Sequence, residues 1–315
     1  MPEVILNMLP LKEEERAAFE AAAPQAIHLY AGRKTVTEEQ LAQATVIFGS
    51  PKPEDLPKAV NLKWFQSMWA GTDEYTQPNR IPAGAMLTCS SGSNSRSVAE
   101  HMLASLLALY RQLPACRDQQ KAHVWKDFPK MKTMLGAFVL VVGAGNVGAD
   151  FARLCKALGA ETTVGVKRSV SGPIPGFDRV CTLDQLDELI PQADVVALTL
   201  PHSEQTRGIM SRARLEAMKD DAVLLNGGRG TALDQEALVQ LMMGGKLWGA
   251  ALDVTDPEPL PADSPLWDVP NLILTPHVAG GMRLELTRRN CVGQALENLN
   301  RYQAGQPLKN VVIPK

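Results

Sequence analysis

Arg229, Glu258 and His277 each stand just past the end of an apolar run, downstream of the glycine-rich stretch Gly143-Ala144-Gly145-Asn146-Val147-Gly148. A guanidinium is a planar fork that grips a carboxylate and polarises an adjacent carbonyl. An imidazole is the side chain best matched to proton transfer near neutral pH, and a carboxylate beside it orients the ring and favours its charged form. If the apolar runs are parallel strands of one sheet, all three side chains and the glycine turn emerge on one edge, where open α/β sheets bind ligands. Singly, each residue has a plainer reading: Arg229 as the partner of surface acids, Glu258 as a solvated loop acid, His277 as structural. Their coincidence after three successive strands favours convergence. The chemistry that fits is reversible hydride transfer between a nicotinamide and the carbon of a small 2-keto/2-hydroxy acid, with Arg229 binding substrate, His277 exchanging the proton and Glu258 supporting His277.

The local sequences suit these tasks. Small neighbours in Asn226-Gly227-Gly228-Arg229-Gly230 leave the guanidinium reachable. Pro257, Pro259 and Pro261 stiffen the loop that carries Glu258, so a carboxylate can be held at low entropic cost. His277 lies in Thr275-Pro276-His277-Val278-Ala279-Gly280-Gly281.

The glycine-rich turn follows the strand-like Phe138 to Val142 and opens a helix whose apolar face is Val147, Phe151, Leu154 and Leu158, ending at Gly159. Gly143 permits the tight turn, Gly145 lets backbone approach a pyrophosphate, Gly148 lets helix pack on strand, and Asn146 and Val147 face the phosphates at the helix N-terminus. A carboxylate would follow the next strand, about 20 residues on, if the adenosine ribose carried a free 2′-OH. Lys167-Arg168-Ser169 stands there instead. Two cations and a hydroxyl suit a 2′-phosphate, so NADP is favoured as cofactor and NAD is possible.

Behind these residues, short apolar runs alternate with amphipathic segments, the pattern of βα units around parallel sheets. A first series runs Val4 to Asn7, Ile27 to Tyr30, Thr45 to Phe48, Trp64 to Ser67 and Met86 to Cys89, with a helix over Lys12 to Ala22. One long helix is expected from Ser97 to about Gln120, with Val98, Met102, Leu106 and Leu109 on one face, able to cross from one domain to the next. A second series runs Ala137 to Val142, Thr162 to Val166, Asp194 to Leu200, Ala222 to Asn226, Gly249 to Val254 and Asn271 to Thr275, with the apolar composition of strands covered on both faces. Leu284 to Tyr302 is again helical, and Pro307 to Pro314 is an extended tail. The late helix implies a discontinuous domain, 1–99 with 284–315, around a dinucleotide-binding domain at 100–283.

The 315 residues, 45% of them hydrophobic, suffice for two cores. With 32 Lys and Arg against 34 Asp and Glu, the net charge of −2 offers no basic field for nucleic acid or an anionic membrane. Cys89, Cys116, Cys155, Cys181 and Cys291 are odd in number and scattered, which points to reduced, cytoplasmic cysteines and to no metal site. The N-terminus lacks a basic n-region and soon meets Lys12-Glu13-Glu14-Glu15-Arg16, unlike a signal peptide, and no run approaches the roughly 20 apolar residues that span a bilayer.

The sequence resembles the D-isomer-specific 2-hydroxyacid dehydrogenases, which include glyoxylate/hydroxypyruvate reductases and phosphoglycerate dehydrogenase. The resemblance runs along essentially the whole chain, through Ala70-Gly71-Thr72-Asp73, Val98-Ala99-Glu100-His101, Gly143 to Gly148, Leu200-Pro201, Asn226 to Gly230, Ala251-Leu252-Asp253-Val254, Glu258-Pro259-Leu260 and Thr275-Pro276-His277. It implies an α/β fold of two doubly wound parallel-sheet domains, a Rossmann cofactor domain inserted in a flavodoxin-like substrate domain. It implies that backbone around Ala70-Gly71-Thr72 cradles the substrate carboxylate, that Asp253 meets the nicotinamide carboxamide, that Pro201 and Thr206 border the adenosine side, and that Gly227, His277 and Gly280 also contact the cofactor. Trp69 and Trp267 are candidates for the pocket wall, and His202 is a loop residue near the cofactor. The resemblance further implies a homodimer formed mainly through the cofactor domain, with closure of the cleft around substrate. Glyoxylate and hydroxypyruvate are the first substrates to expect. No regulatory domain is expected after Lys315, so neither is serine-type feedback. Two alternatives stay open: a formate- or phosphite-type dehydrogenase, against which Pro276 argues, and a non-catalytic NAD(H)-sensing protein of the corepressor type.

Overall fold

The computed structural model describes residues 2–170 and 172–312; residues 313 and 314 of the expected tail lie outside the described residues. The chain divides into two compact units, one running to Asn94 and resuming at Met282, the other Ser95–Gly281. The sequence had put these divisions at 99/100 and 283/284.

The first unit begins β1 (Val4–Asn7), α1 (Glu13–Ala22), β2 (Ile27–Tyr30), α2 (Glu38–Gln43), β3 (Val46–Gly49), β4 (Trp64–Ser67) and β5 (Met86–Thr88). The second holds α3 (Ser95–Tyr110), α4 (Leu113–Lys121), β6 (Phe138–Val142), α5 (Asn146–Ala157), β7 (Thr162–Lys167), β8 (Arg179–Thr182), α6 (Leu186–Leu189), β9 (Val195–Leu198), α7 (Arg212–Ala217), β10 (Val223–Asn226), α8 (Gln235–Met243), β11 (Gly249–Leu252) and β12 (Leu272–Leu274). The chain then returns to the first unit as α9 (Glu285–Gln303) and β13 (Val311–Val312).

In the second unit the strands lie in the order β12-β11-β10-β9-β6-β7-β8, all parallel, which is the Rossmann order extended by one strand. The order reverses between β6 and β9, and the glycine turn leaves β6 there. Val139, Leu140, Val141, Val195, Val196 and Leu224 are fully buried because helices cover both faces. On one face Val98, Met102, Leu106 and Leu109 of α3 pack with Phe151 and Cys155 of α5; on the other, Leu140, Leu198, Leu224 and Leu252 meet Leu186, Leu215 and Leu238 from α6, α7 and α8.

The first unit's sheet runs β13-β5-β4-β3-β1-β2, the flavodoxin-like order with one strand added. The added strand, β13, pairs antiparallel with β5 at the edge of an otherwise parallel sheet. One face packs aromatics: Phe19 edge-on to Phe48 at 5.2 Å between centroids, Phe48 edge-on to Trp64 at 5.0 Å, and Trp64 stacked on Tyr302 at 5.1 Å. Buried Gln66 accepts from Thr88 Oγ1 (2.7 Å) and from Asn298 Nδ2 (2.8 Å), which ties α9 to the sheet.

Two expectations need correction. The single helix from Ser97 to Gln120 is two, α3 and α4, because Pro114 lacks an amide proton and crowds the preceding turn; Gln112 takes a left-handed φ of 54° between them. Both belong to the second unit. Strand β8 was not foreseen, because Arg-Val-Cys-Thr at a sheet edge buries one residue of four and leaves almost no apolar pattern. Among the described residues no helix is long and apolar enough to cross a membrane, no His, Cys, Asp and Glu cluster suits a metal ion, and all five cysteines are free.

Helices α1 and α9 are clamped by Arg288, whose side chain is 10% exposed. Its Nη1 donates to both Glu15 oxygens (2.7 and 2.9 Å) and to the Pro10 carbonyl (3.2 Å), and its Nη2 to Glu285 Oε1 (2.9 Å). Burial of Glu15 works against its ionisation, but Arg288 and Lys12 together outweigh it and hold the carboxyl below its usual range. Arg288, then Lys12, bring Glu285 down to about 2. Lowered carboxylates stabilise above their ordinary pKa of 4.5 and lose that contribution as pH falls through the folded value. Arg288→Met should therefore lower the melting temperature by several degrees at pH 7, and calorimetry should find the gap to wild type closing as pH falls from 4.5 towards 2. A gap independent of pH would show that the clamp acts by packing alone.

Candidate active site

The turn after β6 is shaped by close approach. Gly143 has φ +116°, its carbonyl accepts from Thr199 Oγ1 (2.6 Å), and a Cβ there would lie 2.7 Å from that hydroxyl. A Cβ on Gly148 would collide with the Gly143 carbonyl and lie 2.9 Å from Val141. Around Gly145, by contrast, nothing lies within 4 Å of a built Cβ. Gly145 caps α5 without a side chain, so the first-turn N–H groups, those of Asn146, Val147 and Gly148, face outward with the positive end of the helix. This is a cradle for an anion, with open space where a pyrophosphate would come closest.

Strand β7 ends at Lys167, and Arg168 and Ser169 beyond it are exposed. Among the described residues neither Lys167 nor Arg168 has a carboxylate within ion-pair distance, so both charges are available to a ligand. The loop after β9 is held by Thr206, whose hydroxyl donates to the Pro201 carbonyl (2.8 Å) and accepts from Ser203 N–H (2.9 Å). Thr206 is thus a buried strut of its loop, Pro201 is exposed, and His202 Nδ1 meets Thr231 Oγ1 at 3.0 Å.

Arg229 follows β10 in an extended conformation. Asn226 shapes its loop: Nδ2 donates to the Arg229 carbonyl (3.0 Å) and Oδ1 accepts from Gly228 N–H (3.1 Å), while Arg229 Nη1 donates to the Gly228 carbonyl (2.9 Å). The glycines on either side are required by contact. A Cβ on Gly228 would lie 2.7 Å from the Leu200 carbonyl oxygen, and one on Gly230 would overlap the Thr255 carbonyl. The second of these contacts brings the Arg229 loop against the Glu258 loop.

Glu258 and His277 meet: Oε2 lies 2.8 Å from Nδ1, while Oε1 accepts from Thr255 N–H (3.0 Å). The ring is left with Nε2 as its outward nitrogen. His277 has φ 51°, a left-handed conformation that costs a side-chain-bearing residue of order 1–2 kcal/mol. Its N–H donates to the Asp253 carbonyl (2.8 Å) and Thr275 carbonyl (3.0 Å). Asp253, 6% exposed, accepts at Oδ1 from Thr275 Oγ1 (2.7 Å) and Val278 N–H (2.9 Å) and at Oδ2 from Ala279 N–H (3.1 Å). Its carboxylate therefore holds the backbone that displays His277, on the loop that continues into Gly280, with acceptor capacity left at Oδ2.

Three positioning residues escaped the sequence reading. His101 Nε2 lies 3.0 Å from Thr275 Oγ1 and 3.7 Å from Asp253 Oδ1; the motif containing it was seen, but nothing gave it a task. Gln235 pins the Glu258 loop with its amide, donating to the Asp256 carbonyl and accepting from Asp256 N–H (3.2 Å). Thr199 locks the glycine turn. Trp267 is tied by Nε1 to the Pro261 carbonyl (2.8 Å) and braces the proline loop. In the first unit, Trp69, 37% exposed, donates from Nε1 to Ser50 Oγ (2.9 Å), and partly buried Ala70 and Gly71 continue the loop after β4.

The model of the D-isomer specific 2-hydroxyacid dehydrogenase NAD-binding domain matches residues 103–279. Over 284 residues the chain is 30% identical to a glyoxylate/hydroxypyruvate reductase B of Pectobacterium carotovorum, covering 87% of each. It is 29% identical over 265 residues to a D-3-phosphoglycerate dehydrogenase of Archaeoglobus fulgidus but spans only 49% of that protein's length. Among solved structures, a D-isomer specific 2-hydroxyacid dehydrogenase family protein from Aeromonas salmonicida superposes with a TM-score of 0.87 at 32% identity, covering 100% of both chains. An NADPH-dependent glyoxylate/hydroxypyruvate reductase from Sinorhizobium meliloti, solved with NADP and sulfate, gives 0.82 at 26% identity over 98% of both. Because the similarity runs through both units and through the strands that carry Arg229, Glu258 and His277, the chain belongs to the D-isomer specific 2-hydroxyacid dehydrogenases, a family of NAD(P)-dependent oxidoreductases.

Proposed function

We propose that this chain reduces a small 2-ketoacid of the glyoxylate or hydroxypyruvate type, with NADPH preferred over NADH. The observation that carries the reading is the 2.8 Å contact between Glu258 and His277. It fixes which imidazole nitrogen is held and which is presented.

The residues fit a dinucleotide: α5 offers an uncapped N-terminus, Gly145 leaves open space, and Lys167, Arg168 and Ser169 suit a 2′-phosphate. Gly227, Asp253 and Gly280 would border its nicotinamide end, and Pro201 and Thr206 its adenosine end. The S. meliloti reductase solved with NADP supports the cofactor preference. Bound NAD(P)H supplies the hydride for the carbonyl carbon. Arg229 grips the substrate carboxylate and draws charge towards the carbonyl oxygen, and the Trp69-Ala70-Gly71 loop presents backbone to the same class of anion. His277 carries a proton on Nε2 and gives it to the oxygen as charge develops there, while Glu258 holds Nδ1–H and steadies the imidazolium. Asp253 keeps the ring in place by accepting from the Val278 and Ala279 N–H groups after it and from the Thr275 hydroxyl before it. A homodimer built through the second unit is part of the same reading, supported by Leu113, Val124, Trp125 and Leu135, which expose large apolar side chains on that unit.

An absorbance assay at the reduced-nicotinamide band, with both cofactors and a 2-ketoacid panel, tests the reading. His277→Ala should lower kcat by about 10²- to 10⁴-fold; no turnover of any ketoacid above that control leaves the sensing alternative. Glu258→Gln should lower kcat by about 10- to 100-fold with little change in cofactor KM, as removal of a supporting carboxylate does. Arg168→Asp should shift the NADPH/NADH ratio of kcat/KM by about 10- to 100-fold towards NADH, and an unmoved ratio refutes the 2′-phosphate site. Light scattering should give twice the chain mass for wild type and a monomer for Trp125→Glu.

A further inference from the structure

Helix α3 lays Val98, Met102, Leu106 and Leu109 in the core of the second unit. His101 reaches the strand ends instead. Its Nε2 lies 3.0 Å from Oγ1 of Thr275, the residue after β12, and 3.7 Å from Oδ1 of Asp253, the residue after β11. The second distance is too long for a hydrogen bond, so the ring reaches the carboxylate through the threonine.

Counting places the protons. A threonine hydroxyl has one proton, and Thr275 gives it to Asp253 Oδ1 at 2.7 Å, since a carboxylate only accepts. Thr275 Oγ1 can then meet His101 only as an acceptor, so Nε2 carries a proton whether the ring is neutral or charged. The two hydrogen bonds point one way, from His101 to Thr275 to Asp253, and each polarises the next. At their end, Oδ1 takes the Thr275 hydroxyl and Val278 N–H, which fill its two lone pairs. Oδ2 takes only Ala279 N–H and keeps one lone pair. Asp253 is buried, so these donors rather than water set how the carboxylate is turned. A Thr275 proton turned elsewhere would leave Oδ1 one donor short.

We infer that His101 is a positioning residue for the nicotinamide end of the cofactor: by donating from Nε2 it fixes the Thr275 proton on Asp253 and so keeps the spare lone pair of Oδ2 in place for an amide N–H. The inference rests on the dehydrogenase reading, in which Asp253 borders the nicotinamide. It adds the direction of the protons and a task for a side chain from α3.

Two measurements on the full-length protein test it. Nitrogen NMR without cofactor, at about pH 8 and so above the ordinary titration of histidine, should find His101 as the Nε2-protonated tautomer, its signal assigned by its loss in His101→Gln. A bare Nε2 with the proton on Nδ1 overturns the relay. NADPH affinity, read from the fluorescence of the reduced nicotinamide, is the second measurement. His101→Leu removes the donor and should weaken NADPH about 5- to 20-fold, as loss of one hydrogen bond in a buried network does. His101→Gln, whose amide donates from nearly the same place, should recover most of that loss. Thr275→Val breaks the relay in the middle, so adding His101→Leu to it should cost less than about twofold more. A merely structural His101 would lower the melting temperature of both His101 variants and leave the affinity of the folded protein unchanged, and equal affinities in wild type and His101→Leu overturn the inference. If His101→Leu fails to fold, unchanged affinity in Thr275→Val does so in its place. Neither measurement needs turnover: failure of every ketoacid strikes the dehydrogenase reading, while the tautomer and the affinities decide this one.

Discussion

The buried carboxylate of Asp253 is the constraint on which the chemical edge of the second sheet depends. It takes three hydrogen bonds from the segment between Thr275 and Ala279, and that segment carries His277 in a conformation an L-residue resists. Without those bonds the backbone could relax out of the left-handed region, and the imidazole would leave Glu258. The strain is modest beside three hydrogen bonds to one buried carboxylate. His101, from α3, backs the same carboxylate through Thr275, so a helix buried in the core is connected to the reacting edge through two side chains.

The other side of the site is held by closeness. Gly230 packs against the Thr255 carbonyl and Gln235 grips the Asp256 backbone, so the Arg229 and Glu258 loops form one body. Gly228 packs against Leu200 in the same manner, joining the loops after β9 and β10. Parallel strands of four residues each cannot fix the loops at their ends; these backbone contacts and side-chain locks do so.

Much of this was legible in the sequence, for physical reasons. Strands covered on both faces announce themselves as unbroken apolar runs, so the five central ones were found, as was the apolar edge strand β12, while β8, an edge strand rich in polar residues, was not. The meeting of Glu258 with His277 was an expectation drawn from their places after successive strands and from the family resemblance. What the sequence could not display were contacts whose partners are far apart in the chain and chemically ordinary: Thr199 on Gly143, Gln235 on Asp256, His101 on Thr275. The break between α3 and α4 was missed for the opposite reason, a local one: the apolar face ends at Leu109, and Pro114 marks a new helix start that a single span to Gln120 passes over.

The glycine turn after β6 divides its own signature. Gly143 and Gly148 are enclosed, by Thr199 and by the turn itself, whereas Gly145 has ordinary dihedrals and empty space around it. One motif thus answers to two selective pressures that a consensus merges. Drift at the outer glycines is censored by the fold and would surface as lost protein, while drift at Gly145 is censored only by the nucleotide. A lineage that gave up its cofactor could keep the domain intact and let that single position wander first.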